Sequence, residues 1–358
     1  MYIRNLKINN FKNISSLEQD FTQINCIVGN NGVGKTNILD AIYYLSFCKS
    51  FNASNDLNTM KYGEEFFSVF GTYTLQDGTN EVFSCSQKKE QKKIFKHGKI
   101  VYKKLSEHIG KVPCVMVSPN DHIYITGHSE VRRKFIDMIL SQTDPVYLDN
   151  LINYNRSLEQ RNKLLKYMQQ TGVFDSIQLD IWNEKLDYYA SVIQEKRKAF
   201  FLEFKEPFQY YYNYVSSNRE EAGLEYKTYE GRLLDLLHTN YEKEKYIGHT
   251  TSGIHKDDIV FYLDNHNVQF AGSQGQQKTF VLALKLAQYD YIKRHKGTTP
   301  ILLLDDIFDK FDFSRVEKIL SLVTQEDFGQ IFLTDTHLSR VEEIIPEDKK
   351  DFTTIVKL

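Results

Sequence analysis

Cysteine is scarce in this chain, and its spacing pairs none of it. Cys26, Cys48, Cys85 and Cys114 form no CxxC and have no histidine at a metal-ligand interval. That excludes a zinc ribbon and the disulfide framework of a small secreted domain. Proline is rare too, with none between Pro145 and Pro207, and no repeat or low-complexity tract breaks the chain. No apolar run reaches the roughly 18–20 residues of a membrane-spanning helix. The opening stretch, MYIRNLKINNFKN, alternates like a strand and has no signal-peptide core. The expected compartment is therefore the cytoplasm, with no membrane partner. A positive excess is also missing: the net charge is -2. Any nucleic-acid role must then rest on a local patch.

What is present suffices for about two globular domains, since the 358 residues are 41% hydrophobic and 26% charged. Residues 1–120 read as short strands: YIRNLKI, QINCIV, FFSVFGTYTL, NEVFSCS and VPCVMVS. From about 128 to 240 the pattern is long and helical. Strands return at DIVFYLD, ILLLDD, GQIFLT and TTIVKL, with helices between them. The expected fold is α/β: one domain assembled from residues 1–125 and 246–358, interrupted by a mainly helical lobe over 126–245.

The segment INCIVGNNGVGKTNILDAIYYL carries Gly29-x-x-x-x-Gly34-Lys35-Thr36 between an apolar strand and an apolar helix, the context a phosphate loop requires. Glycines at 29, 32 and 34 let the backbone N–H groups of this loop, Asn30, Asn31 and Val33 among them, approach phosphate without a Cβ clash. Lys35 supplies a point charge, the Thr36 hydroxyl is a Mg²⁺ ligand, and Asn37 opens the helix. ATP and Mg²⁺ are the expected cofactors. Further on, ILLLDD is an unbroken apolar run ending in two acids, as a buried parallel strand does at its ligand-binding end. Asp305 is the candidate metal ligand, and Asp306 the candidate group that orients or deprotonates water. Two adjacent acids can instead simply cap a helix.

Shortly before that strand lies FAGSQGQQKTFVLALKLAQYD (270–290), a flexible polar patch at the mouth of a strong helix. Ser273 there is either a plain N-cap or part of a helix end aimed at an anion. The order phosphate loop, long insertion, GSQGQ, acidic strand resembles the ABC/SMC-type ATPases. Their signature loop is matched by Ser273 and Gly275, with Gln274 in place of the first glycine. Within that group the chain resembles the RecF family of bacterial recombination mediators. The resemblance is carried by YIRNLKINNFKNI, VSPNDHIYITGHSEVRRKFID, LEQRNKLL and HKDDIVFYLDNHNVQFAGSQGQQKTFVLALKLA. It implies nucleotide contacts from Lys12, Asn13, Ser273, Gln274, Gly275, Gln276 and Lys278. It also implies that the signature binds the γ-phosphate held by a second protomer, so that the homodimer depends on ATP, and that hydrolysis is slow and DNA-stimulated. The implied setting is double-stranded or gapped DNA, partners of the RecO and RecR type, and recombinase loading at single-strand gaps. Where ABC enzymes place a phosphate-sensing histidine, this chain has His337 in FLTDTH.

The chain departs from the family in three places. A usual Gly-Pro-His-Arg-Asp-Asp reads Gly253-Ile254-His255-Lys256-Asp257-Asp258, a common Arg is Lys278, and a common Ser-Glu-Leu-Asp is replaced within Phe308–Asp312. Lysine loses the bidentate geometry of arginine.

For DNA, residues 86–104 hold eight lysines against one glutamate on an expected hairpin: Lys88, Lys89, Lys92, Lys93, Lys96, Lys99, Lys103 and Lys104. Such a surface tracks phosphates, although lysines also blunt sheet edges. Arg132, Arg133, Lys134, Arg161 and Lys163 are weaker candidates that can instead pair with acids of the helical lobe. The aromatic run FQYYYNY (208–214) is expected to pack rather than to stack on bases. Two rival readings remain at this level: an ATPase subunit of a nuclease or defence system, and a binding module whose phosphate loop is structural.

Overall fold

The computed structural model describes all residues except 54, 76, 174, 218–219, 308–312 and 326–327. The chain divides into two compact units. The first comprises Met1–Asp121, Tyr214–Ser217 and Lys278–Leu358, and the second comprises His122–Asn213 and Asn218–Gln277.

The strands are, in order, β1 (Tyr2–Phe11), β2 (Ile14–Asp20), β3 (Ile24–Val28), β4 (Phe66–Thr74), β5 (Asn80–Lys88), β6 (Ile94–His97), β7 (Ile100–Val101), β8 (Cys114–Val117), β9 (Ala222–Lys227), β10 (Asp258–Leu263), β11 (His266–Asn267), β12 (Ile301–Leu304), β13 (Ile331–Asp335) and β14 (Thr353–Lys357). In the first unit, β2-β1-β4-β5-β6-β7 form an antiparallel sheet. A second sheet, β14-β3-β13-β12-β8, is parallel throughout. Strands β3, β8, β12 and β13 are buried at every position, the outcome expected of apolar runs covered on both faces. Because all five strands point the same way, the ends of β3, β8, β12 and β13 emerge on one edge, where ligands of such sheets bind. The helix Lys35–Phe47 is buried along most of its length, and Tyr44 packs edge-on against Phe11 and Phe67 of the antiparallel sheet.

The second unit is built on helices Ser129–Thr143, Pro145–Thr171 and Ser176–Ser216, the last ending in the first unit. Phe208, Tyr211 and Tyr212 of the aromatic run are buried in it. Two expectations change here. The 128–240 block is not wholly helical, because Ala222–Lys227 alternates buried and open positions and forms β9, which pairs with β10 antiparallel from Asp258↔Lys227 to Leu263↔Ala222. That pairing also draws residues 246–277, expected with the ATPase head, into the second unit. The head resumes at Lys278.

Arg197, 2% exposed, locks this unit. Its guanidinium donates to Asp257 at 2.8 Å, Asp137 at 2.8 Å, the Ile254 carbonyl at 3.1 Å and the Tyr147 hydroxyl at 3.1 Å. Asp257 also accepts from Thr228 at 2.8 Å and from Tyr226. A buried charge is tolerated only when its partners are present. Arg197→Leu is therefore expected to cost about 3–5 kcal/mol, read as a lowered urea midpoint of the full chain.

Candidate nucleotide site

The loop after β3 opens directly into the helix Lys35–Phe47. Its N-cap is Gly34, which offers no side-chain cap, and the first turn carries no acid. The orphan N–H groups of that turn are left for an external anion. Gly34 has φ 123, and a Cβ there would stand 2.9 Å from Asn13 Oδ1. Only glycine meets both conditions. Asn13 braces the loop from the β1–β2 turn. Its amide donates to the Gly32 and Val33 carbonyls at 3.1 Å each, and its Oδ1 accepts from Asn37 at 2.7 Å. Lys35 is 4% exposed, with Nζ held by the Gly29 carbonyl at 2.7 Å and the Asn30 carbonyl at 3.2 Å. A cavity of about 210 Å³ is lined by Asn31, Gly32, Gly34, Lys35, Thr36, Asn37 and Asp306.

The parallel register carries the second half of the site to the first. Thr36 Oγ1 donates to the Asp305 carboxylate at 2.9 and 3.1 Å across 269 residues of chain. Thr334, at the end of β13 between β3 and β12, donates to Asp305 at 3.0 Å and accepts the Asp306 N–H at 2.9 Å. Asp306 is left-handed, φ 45, a conformation non-glycine residues seldom adopt and one that concentrates at functional sites. Burial, reinforced by Asp306 alongside and opposed by the Thr36 and Thr334 hydrogen bonds, pushes the Asp305 carboxyl up to about 6. Thr36 and Asp305 together are a hard-oxygen pair. Their convergence at the loop fits Mg²⁺, which takes one or two protein oxygens and completes its shell with phosphate and water.

Several candidates stand elsewhere. Lys12 is ion-paired with Asp40, a fully buried carboxylate that also accepts from Ser50 and the Phe51 N–H at 2.6 Å each. Its charge is thus committed to that carboxylate. His337 is exposed, precedes the helix Leu338–Ile344, and is not among the described residues that line the cavity. Its N–H donates to Asp335, whose carbonyl accepts the Gly29 N–H at 3.3 Å. Thr334 and Asp335 were missed by motif reasoning, and the polar TDTH after an apolar run was their only trace. The Phe308–Asp312 segment lies outside the described residues.

Ser273, Gln274, Gly275 and Gln276 belong to the second unit, and Lys278 begins the return to the first. The Ser273 hydroxyl accepts the Gln276 N–H at 3.3 Å while Gln276 Oε1 accepts the Ser273 N–H at 2.6 Å. This reciprocal pair is a capping box for the helix Gln274–Lys296, so the plain-cap reading of Ser273 holds within the chain. It does not exhaust the residue. Ser273 is exposed, and a hydroxyl that accepts a hydrogen bond still has its own proton to donate.

Six lysines of the basic segment, Lys88, Lys89, Lys92, Lys99, Lys103 and Lys104, are exposed, and Lys96 is half-buried. Lys93 departs from the expected surface. Its ammonium donates to the Cys48 carbonyl at 2.6 Å and lies 5.4 Å from the Tyr44 ring centroid. Cys48 is the left-handed C-cap of the helix Lys35–Phe47, where carbonyls attract a cation. The weaker basic candidates pair with acids instead: Arg132 with Asp258 at 2.8 Å, Arg161 with buried Glu244 at 2.7 Å, Lys134 with Glu130 and Lys163 with Glu159 at 2.6 Å each. Arg133 donates to the Asp257 carbonyl at 2.6 Å. His255 is half-buried with Nδ1 2.7 Å from the Tyr154 hydroxyl, and desolvation pushes it down to about 4.

Residues 2–347 match the family described as the RecF/RecN/SMC N-terminal domain. The DNA replication and repair protein RecF of Flavobacterium johnsoniae is 45% identical over 348 residues, covering 96% of this chain and 97% of that protein. Its namesake from Bacteroides fragilis is 44% identical over 358 residues, covering 98% and 96%. The chain belongs to the RecF family. Among solved structures, the recombination mediator protein RecF with ATP, of the RecFOR pathway, superposes with a TM-score of 0.88 at 29% identity, covering 94% of this chain and 92% of that one. An Smc head domain from Pyrococcus furiosus, at 16% identity and a TM-score of 0.56, shares the fold. RecF-family membership and these folds make the chain an ABC/SMC-type ATPase. Among the described residues no helix is long and apolar enough to cross a membrane.

The raised Asp305 pKa has a definite sign in stability. Its contribution is fully present below the ordinary value of 3.8 and is lost as pH rises through about 6. Asp305→Asn is therefore expected to stabilise the nucleotide-free protein by on the order of 2 kcal/mol at pH 7.5, the gain vanishing near pH 4. Paired denaturation curves at the two pH values check it.

Proposed function

We propose that this chain is a nucleotide-gated DNA switch. It binds ATP through Gly29–Asn37, with Lys35 on the terminal phosphates and Mg²⁺ held by Thr36 and Asp305. Asp306 orients the attacking water. The observation that carries the nucleotide reading is the uncapped helix start at Gly34 facing a cavity that Lys35, Thr36 and Asp306 line. Bound Mg²⁺ would keep Asp305 ionised in its buried position, which links metal and nucleotide binding.

The site is completed in trans. Ser273, with Gln274, Gly275, Gln276 and Lys278 around it, meets the γ-phosphate of a second copy, so ATP closes a two-fold dimer and hydrolysis opens it. Support comes from the exposure of Ser273 and Gln274 at the start of a long helix, whose positive end favours an anion. The dimer holds double-stranded or gapped DNA through the exposed lysines of 86–104, by backbone contacts rather than base readout, and DNA stimulates an otherwise slow turnover. Relatives named for DNA replication and repair, and solved structures of the RecFOR pathway, support a place among RecO- and RecR-type partners in loading recombinase at gaps.

Mixing two inactive variants tests the trans arrangement. Lys35→Ala disables the loop and Ser273→Arg disables the signature, but a heterodimer of the two retains one site with both parts intact. The mixture is expected to recover about a quarter of wild-type hydrolysis. No recovery above the sum of the two variants measured alone would sink the reading.

A further inference from the structure

Phe270 is the most exposed phenylalanine among the described residues, at 82%, three positions before Ser273. Its mount is rigid. The turn Val268–Ala271 starts under an Asn267 cap, whose Oδ1 accepts the Gln269 N–H at 2.9 Å, and closes through the Gly272 N–H on the Val268 carbonyl at 3.1 Å. From the signature helix, Gln277 reaches back to the carbonyls of Val268 at 3.1 Å and Gly272 at 3.3 Å. A Cβ at Gly272 would lie 2.7 Å from the Val268 carbonyl, so this close approach needs glycine. An aromatic ring in water on a backbone turn fixed by that many bonds is preorganised for contact.

The phosphate loop carries an apolar counterpart. Val33 is 39% exposed, and Asn13 holds its carbonyl at 3.1 Å. Among the described residues that line the cavity or flank it in the loop, from Gly29 to Asn37, Val33 is the one branched apolar side chain left open to solvent.

We propose that Phe270 packs on Val33 of a second copy of this chain and forms an apolar seal over that copy's phosphate site. The inference rests on the trans reading above, since a geometry that brings Ser273 to the partner's phosphates brings the neighbouring ring to the rim of the same loop. Two-fold symmetry makes the contact twice per dimer. The seal excludes water from the phosphates, which strengthens the electrostatics inside, and gives the closed state an apolar contact that the open monomer lacks.

The test is the dimer dissociation constant of the full chain with Mg²⁺ and a non-hydrolysable ATP analogue, measured by sedimentation for wild type, Phe270→Ala, Val33→Ala and the double variant. Phe270→Ala is expected to weaken the dimer about ten-fold or more. The double variant should be little worse than Phe270→Ala, because the two side chains lose the same contact. Fluorescent-analogue binding below the dimer concentration range locates any loss. A Phe270→Ala defect found already in monomer nucleotide binding would overturn the proposal, and so would an unchanged dimer constant or strictly additive losses. A wild type that never dimerises would instead remove the trans reading itself, and the seal with it.

Discussion

The site depends on one hydrogen-bonded clasp, in which Thr36 and Thr334 both donate to Asp305. The bonds that Lys35 makes to Gly29 and Asn30 are local by comparison. The clasp requires that β3, β13 and β12 run parallel in fixed register, with Leu304 opposite Leu333 and Leu333 opposite Cys26. A slip of one residue in a fully buried strand would invert its side chains and carry Asp305 away from the loop. The buried apolar runs therefore specify a chemical distance as well as a core. The carboxylate at the clasp is kept in a place that disfavours its charge, and a divalent cation is the natural compensation.

Two helix starts serve the proposed cycle in different ways. The one at Gly34 is left without a side-chain cap or a first-turn acid, so it suits a tightly held phosphate. The one at Ser273 is capped by its own Gln276, so it is stable without a ligand. A switch benefits from that difference. The binding loop needs the nucleotide, while the sensing helix must persist intact when the second copy is away.

The phosphate loop was legible in the sequence because its chemistry is local: glycines, Lys35 and Thr36 stand within eight positions. The acidic strand was legible from ILLL followed by two acids. The clasp itself was not, because no spacing rule reports that Thr36 and Thr334 would converge on Asp305. Lys93 read as one more surface cation, and its destination, a helix C-terminus at Cys48, is a tertiary fact. Lys12 likewise went to Asp40, a buried acid inside a helix whose apolar pattern concealed it. The strand Ala222–Lys227 disappeared into a helical block because six residues of weak alternation compete poorly with long flanking helices. Its pairing with Asp258–Leu263 then moved the boundary between the units.

The central claim is that ATP joins two copies through Ser273. Molecular mass by light scattering tests it most directly, with Mg²⁺ and a non-hydrolysable ATP analogue, in the presence and absence of a short duplex. The account predicts a shift from 42.0 kDa to twice that value for wild type and no shift for Ser273→Arg. A wild type that stays monomeric with analogue and duplex together, or a Ser273→Arg variant that dimerises normally, would contradict it.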